Sequence, residues 1–234
     1  MGAMRIDLSR KRVLVTGASR GIGAAIARAL VDAGAEVFSG YRKNATVPCG
    51  EPWLCDHAAP ALPPGPLHVL VNNAGIWVPT PIDGPEWEEN WPKILETNLH
   101  AVATLCRLFA AQAEPGAAIV NITSRAGHRG EAGYSAYAAS KAAVNALTKS
   151  LATELGPRHI RVNAVAPGAI QGRWLAAGLG QAYEPVMNAM AEQSPLKKTC
   201  TPDDVADAIV SLVAGSDMVT GQVLICDGGM LIRA

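Results

Sequence analysis

The stretch Lys11-Arg12-Val13-Leu14-Val15-Thr16-Gly17-Ala18-Ser19-Arg20-Gly21-Ile22-Gly23-Ala24-Ala25-Ile26-Ala27-Arg28-Ala29-Leu30-Val31 decides the fold. Residues 11 to 16 form a short apolar run rich in β-branched residues, as a strand buried on both faces does. A glycine-rich turn, Gly17 to Gly23, follows at once, and the alanine-rich run after it has helical composition with a stop at Gly34. Strand, glycine turn and helix in that order make a phosphate cradle. The glycines let backbone amides approach a pyrophosphate, and the helix N-terminus offers unpaired N–H groups at the positive end of its dipole. Glu36-Val37-Phe38-Ser39 supplies a second strand and completes a βαβ unit. In dinucleotide folds a carboxylate at the tip of this strand holds the ribose 2′-hydroxyl, whereas cations there accommodate a 2′-phosphate. Here the tip reads Gly40-Tyr41-Arg42-Lys43, with no acid and two cations, and Arg20 in the glycine turn adds a third. The expected cofactor is NADP(H), against the alternative that Arg42 and Lys43 are solvated loop charges.

Working outward, Trp53 to Cys55, Leu67 to Val71, Ala117 to Ile122, Ile160 to Val165 and Gln222 to Cys226 read as further strands. The expected fold class is α/β: a Rossmann-type doubly wound parallel sheet of about seven strands with helices on both faces, in a single domain over residues 1–234. Between Asn44 and Pro66 the prolines at 48, 52, 60, 63, 64 and 66 oppose helix, so the crossover helices there are expected to be trimmed or absent. Asp56, at the end of the short third strand, meets an adenine amino group or caps the next turn. Asn72-Asn73-Ala74-Gly75 would let the chain pass close to a cofactor. Trp87 to Ala113 reads as largely helical, with Pro92 forbidding one long helix and Asn98 inside an otherwise favourable pattern. Residues 136 to 154 and 202 to 214 read as helices, the latter with Thr201 as N-cap. Residues 169 to 200 show no long period and read as a mobile lid.

The chemistry concentrates between Ser124 and Lys141. Ser124 follows a buried strand, at the exposed carboxyl end where α/β proteins place their sites. Tyr137 and Lys141 are four apart and share a helix face, and a phenol beside a fixed cation ionises below its usual value.

Composition narrows the function classes. In 234 residues, 49% are hydrophobic and 17% charged, and 20 basic against 20 acidic residues leave no field to draw nucleic acid or an acidic membrane surface. Five cysteines, none in a C-x-x-C pair, fit free thiols in a reducing compartment. Cys55 and His57 lack further ligands at metal spacing, so no metal is expected. Without a signal-type run or an apolar stretch long enough to span a membrane, the expected location is cytoplasmic. Met1-Gly2-Ala3 ahead of Met4 reads as an expression scar and is left out of the fold.

Together these motifs resemble the short-chain dehydrogenase/reductase family in its compact form, near its 3-oxoacyl carrier-protein reductases, over nearly the whole chain. Thr16 to Gly23 is similar to the family's G-x-x-x-G-x-G cofactor motif, and Asn72 to Gly75, Tyr137 to Lys141 and Pro167-Gly168 match its later landmarks in order. The resemblance implies a hydride transfer between NADP(H) and a carbonyl or secondary alcohol. Tyr137 would be general acid and base, Lys141 would lower its pKa and hold the nicotinamide ribose, and Ser124 would bind the substrate oxygen. Asn98 would distort its helix and hold a water in the proton relay. Implied cofactor contacts come from Gly17, Ser19, Arg20, Gly21, Ile22, Gly23, Tyr41, Arg42, Lys43, Asp56, Asn72, Ala74, Gly75, Ile122, Tyr137, Lys141, Pro167, Gly168 and Ile170. Where the family often has a threonine four residues after the Pro-Gly glycine, this chain has Gly172; Gln171 or the backbone is left to substitute.

His128, Tyr134, Gln171 and Trp174, with Trp77 beside them, are the candidate substrate-lining residues, against ordinary lid packing. Arg125 meets a substrate carboxylate or lies on the surface. An acidic carrier protein as partner finds few cations to dock on, and a cyclic-ketone or secondary-metabolite reductase fits as well. Two other readings stay open, an NADP(H)-binding sensor or scaffold without turnover and a lyase or epimerase on the same scaffold. The alanines along the helix of Tyr137 suit close packing on a second subunit, so a homo-oligomer is expected, tetramer before dimer.

Overall fold

Seven parallel strands in the order β3-β2-β1-β4-β5-β6-β7 form the sheet of the computed structural model, which describes residues 6–43, 45–172, 175–176 and 179–233. The strands are β1 (Arg12–Val15), β2 (Glu36–Tyr41), β3 (Glu51–Leu54), β4 (Val69–Asn72), β5 (Ala118–Ile122), β6 (Arg161–Pro167) and β7 (Val223–Cys226). Chain order runs outward one way from β1 to β3 and the other way from β4 to β7, so β1 and β4 flank the topological switch point. In such sheets the crevice at the carboxyl ends of these two strands is where ligands bind.

Side chains alternate across the sheet. Val13 and Val15 of β1 turn to one face, where they meet Ile26 and Leu30 of α1 (Gly21–Asp32) and Val205 and Ile209 of a later helix, Pro202–Ala214. Leu14 turns to the other face with Phe38, Leu70, Ile119 and Val162, against Phe109 and Val144 from helices there. Both faces are therefore covered at the centre of the sheet, which is why the central strands read as continuous apolar runs instead of alternating ones.

The helices differ from expectation in three places. Pro92 does not end a helix: α2 (Trp87–Leu95) contains it and runs through a π-helical turn, Glu96–His100, straight into α3 (Ala101–Gln112). The widened turn carries the distortion that sequence placed at the proline. A short α4 (Ala126–Arg129), closed by Gly130 at φ 78°, precedes α5 (Ser135–Leu155). The presumed lid contains α6 (Tyr183–Gln193), which buries little beyond Met187 and so leaves a weak apolar period. The last helix, α7 (Pro202–Ala214), starts as expected at Thr201, whose hydroxyl accepts from the Asp204 N–H at 3.1 Å while the Asp204 carboxylate accepts from the Thr201 N–H at 2.8 Å. As the prolines required, no helix joins β2 to β3 or β3 to β4 among the described residues. No helix among them is long and apolar enough to cross a membrane.

Phe109 lies fully buried between α3 and the sheet. Phe109→Ala is expected to lower unfolding free energy in urea by about 3–5 kcal/mol; a loss below about 1 kcal/mol would contradict its central place in that face.

Candidate active site

The switch-point crevice is stitched by Thr16 and Asn73. The Thr16 hydroxyl accepts from the Asn73 and Ala74 N–H groups, each at 2.9 Å, and the Asn73 amide donates to the Thr16 and Gly17 carbonyls at 2.8 and 3.2 Å. Sequence reasoning missed Asn73 and selected its neighbour. Asn72 is instead turned into the α3–α5 face, donating to Asn121 Oδ1 at 2.9 Å and to Cys106 at 3.3 Å. Strand alternation explains the difference, because Asn72 is the last residue of β4 and points into the core, while Asn73 lies past the strand end.

The glycine turn has the shape that a pyrophosphate needs. Gly17 and Gly21 take left-handed φ of 66° and 57°. A Cβ on Gly23 would lie 2.3 Å from the Gly17 carbonyl oxygen, so only glycine fits there. No side chain caps α1 and no acid stands in its first turn. Its leading N–H groups and dipole are left for an anion, with Ser19, Arg20 and Gly21 exposed around them and Ile22 half-buried.

Tyr41, Arg42 and Lys43 stand at the carboxyl end of β2, both cations exposed. Asp56 caps the next turn, accepting from the Ala58 N–H at 3.1 Å. Next to it, His57 is held below the usual histidine pKa by burial and by the Arg42 charge, and its Nδ1 is buried without a hydrogen-bond partner among the described residues.

Asn98 sits in the π-turn with no exposed surface. Its Oδ1 accepts from the Ile76 N–H at 2.8 Å, and its Nδ2 donates to the Ile76 carbonyl at 2.9 Å and to Ser140 Oγ at 3.2 Å. Ser140 in turn donates to the Tyr137 carbonyl at 2.7 Å. Gly75, beside these groups, would put a Cβ 3.2 Å from Asn98 Oδ1 and 3.5 Å from Lys141 Nζ.

Ser124, Tyr137 and Lys141 converge at the carboxyl end of β5. Ser124 Oγ accepts from the Ala126 N–H at 3.1 Å, which fixes it at the start of α4, and it lies within hydrogen-bonding reach of the Tyr137 phenol. Lys141, buried, donates from Nζ to the Ile122 carbonyl at 2.8 Å and lies 5.8 Å from the Tyr137 ring centre. The electrostatics correct the expectation that Lys141 lowers the tyrosine. Burial raises Tyr137 above the usual phenol value, the Ser124 hydrogen bond pulls the other way, and the Glu131 charge adds to the rise. Lys141 itself is lowered by burial to about 8. Desolvation is the largest cause at both groups.

The lining residues separate. Tyr134 stacks on Trp77 with ring centres 4.0 Å apart and planes 8° from parallel. That stack is held by Thr80, whose N–H donates to the Gly133 carbonyl at 2.7 Å and whose carbonyl accepts from Ser135 Oγ at 2.8 Å. His128 does not join them: its Nε2 is 3.4 Å from Asn145 Nδ2, two turns of α5 beyond Tyr137. Gln171 donates to Thr199 Oγ1 at 3.0 Å, across the base of the segment 171–200. Trp174 lies outside the described residues. Gly168 donates its N–H to the Cys226 carbonyl at 2.9 Å, and Ile170 bridges Cys200, so Pro167 to Ile170 leave β6 beside the end of β7. Arg125 is not on the surface; it is buried with its guanidinium against Met230 Sδ.

The chain has counterparts among known proteins. Residues 54–231 match the family described as enoyl-(acyl carrier protein) reductase, and residues 11–48 the one described as short chain dehydrogenase. The L-xylulose reductase of Mesocricetus auratus is 35% identical over 98% of this chain and 100% of its own. The chain belongs to the short-chain dehydrogenase/reductase family. Another relative is the 3-oxoacyl-[acyl-carrier-protein] reductase of Chlamydia muridarum, 33% identical over 95% of this chain and 98% of its own. In structure, the ligand-free aldohexose dehydrogenase of Thermoplasma acidophilum superposes with a TM-score of 0.88 at 30% identity, covering 97% of this chain and 96% of that one. As a member of this family the protein is an oxidoreductase of the nicotinamide-dependent kind.

Lys141 makes a measurable statement about stability. Its folded pKa of about 8 lies below the unfolded value of 10.5, so between these the unfolded chain binds the extra proton. The cost of its burial is complete below about pH 8 and fades as pH rises toward 10.5. The stability gap between Lys141→Met and wild type in urea unfolding is therefore expected to be widest, in the variant's favour, below about pH 8 and to shrink above it. A gap that is constant with pH would contradict a depressed lysine.

Proposed function

We propose that the protein is an NADP(H)-dependent oxidoreductase acting on a small carbonyl compound or the matching secondary alcohol, with Tyr137 as the general acid and base. The observation that carries this reading is the convergence of Ser124, Tyr137 and Lys141 beside a crevice whose α1 N-terminus is uncapped and free of acids. The turn suits a dinucleotide: open space lies beside Gly21, and the uncapped, acid-free N-terminus of α1 would take the pyrophosphate. Arg20, Arg42 and Lys43 form no ion pair among the described residues and are exposed, so they are free to meet a 2′-phosphate. When bound, the nicotinamide supplies or accepts the hydride.

The chain's own residues handle the proton. Burial keeps the Tyr137 phenol protonated, the state that a proton donor to a carbonyl oxygen needs, and Ser124 donates a second hydrogen bond to the same oxygen. Lys141 stands one turn further along, held by the Ile122 carbonyl, and would hold a ribose hydroxyl of the bound cofactor. Asn98 holds the loop and helix that aim these groups. The flat Trp77–Tyr134 wall, one turn before Tyr137, suits the C–H face of a polyol, and relatives named for L-xylulose and aldohexose make sugars the first substrates to try. We further place the chain as one domain in the cytoplasm, on its five free thiols, and as a homotetramer, because Ala139, Ala142 and Ala146 are exposed along α5.

Turnover should be followed at the nicotinamide absorbance band over a panel of ketoses, aldoses, 3-oxoacyl thioesters and cyclic ketones, with NADPH and NADH in parallel. NADPH is expected to be preferred, and Arg42→Asp to move the preference toward NADH; a wild-type preference for NADH would sink the 2′-phosphate argument. Tyr137→Phe is expected to lose ~10²–10⁴ in kcat while still binding NADPH.

A further inference from the structure

Two of the five cysteines, 26 residues apart in sequence, meet where β6 and β7 end. Cys226 is the last residue of β7 and pairs with Pro167, while Cys200 ends the segment that departs after β6 and bridges back to Ile170. The Cys200 thiol donates to the Cys226 carbonyl at 2.9 Å and lies within hydrogen-bonding reach of the Cys226 sulfur and of the Gly168 N–H. Both cysteines open onto a cavity of about 470 Å³, lined also by Leu196, Lys198, Asp204 and Ile225, which admits a small reagent. The other three thiols are unlike them: burial raises Cys49, Cys55 to about 11 and Cys106 to about 12. Cys226 alone is lowered, to about 7, by the Cys200 hydrogen bond, with Lys198 assisting and burial, Asp204 and Asp227 opposing. The thiol that donates, Cys200, is raised.

We propose that Cys226 and Cys200 are a reversible redox pair that responds to peroxides and closes a disulfide across the base of the segment 171–200. The Cys226 thiolate attacks a peroxide oxygen, the O–O bond breaks, and the leaving oxygen takes up a proton to depart as water or an alcohol. Cys226 is then a sulfenic acid. The Cys200 sulfur attacks it, an S–S bond forms, the S–O bond breaks, and the Cys200 proton leaves with the hydroxyl as water. The two thiols have lost two electrons and the peroxide has gained them.

Forming the bond draws Cys200 Sγ away from the Cys226 carbonyl and the Gly168 N–H. Both groups anchor the Pro167-Gly168 turn, and Gly168 has no slack, since a Cβ on it would lie 2.7 Å from the Asp227 Cβ. The oxidised protein is therefore expected to lose turnover until it is reduced. This consequence rests on the proposed function, which puts that turn at the nicotinamide; the disulfide itself does not.

The sequence allows a clean assay, because Thr199 to Arg233 contains no internal lysine or arginine and carries both cysteines in one tryptic peptide. The whole protein is treated with hydrogen peroxide, blocked with N-ethylmaleimide in denaturant, digested and weighed. The expected peptide is unlabelled and two hydrogens lighter, Cys49, Cys55 and Cys106 remain labelled, and dithiothreitol restores both labelling and turnover. Cys200→Ser is expected to keep its reduced turnover but to carry Cys226 on to the sulfinic acid, with a loss that dithiothreitol does not reverse. A doubly labelled peptide after peroxide, or a disulfide form with undiminished turnover, overturns the proposal. A reduced protein inactive on every substrate counts against the proposed function alone, and the peptide mass still decides the pair.

Discussion

One fully buried amide, that of Asn98, joins the three pieces of chain on which the site is built. It returns both hydrogen bonds of Ile76, which fixes the loop after β4, and reaches Ser140, which in turn holds the Tyr137 carbonyl. A buried polar group left without partners costs about 1–3 kcal/mol, so the amide and its partners constrain each other strongly. The π-turn from Glu96 to His100 is the backbone's accommodation of that demand, since an extra residue in the turn widens the helix where Asn98 looks out of it. The position of the phenol on α5 thus depends on a side chain from the opposite helical run.

The same low-dielectric setting explains the protonation states. Tyr137 and Lys141 are shifted in opposite directions, the phenol up and the ammonium down, and both shifts favour the neutral form. The pair is thus a protonated phenol near a cation held at some cost. Such a cation interacts strongly with any charge that develops near it, because little water is present to screen it. The stability of the fold comes from elsewhere, from apolar faces on both sides of the sheet, so the site can carry this strain.

The layout of the sheet was legible because strands buried on both faces are continuous apolar runs and glycines mark their ends. β1, β2, β4, β5 and β6 follow from those two signals, and the helices at 21–32, 135–155 and 202–214 from composition and their start and stop residues; the edge strands β3 and β7 are largely exposed, and β3 begins at Glu51, ahead of the expected Trp53. Ser124, Tyr137 and Lys141 were readable for a related reason: spacing on one helix after one strand suffices to bring them together. Pro92 misled because a proline's effect depends on which hydrogen bond it removes, and the run tolerates it. α6 was missed because a helix with one buried residue leaves no period to read. The Lys141 effect on Tyr137 was misjudged because spacing shows that two residues share a face, but not that the ammonium turns to the Ile122 carbonyl. The place of His128 was not legible for want of tertiary information, since nothing local says that α4 lays it on Asn145.

Under the proposed function, hydride and proton reach the substrate by separate routes, the first from a bound nicotinamide and the second from Tyr137. Single-turnover reaction with NADPH deuterated at the transferring position, with the product weighed, tests this most directly. The account predicts one deuterium on the carbinol carbon of the wild-type product and, over the same interval, almost no product of any mass from Tyr137→Phe loaded with the same cofactor. Deuterated product formed by Tyr137→Phe at the wild-type rate would contradict it.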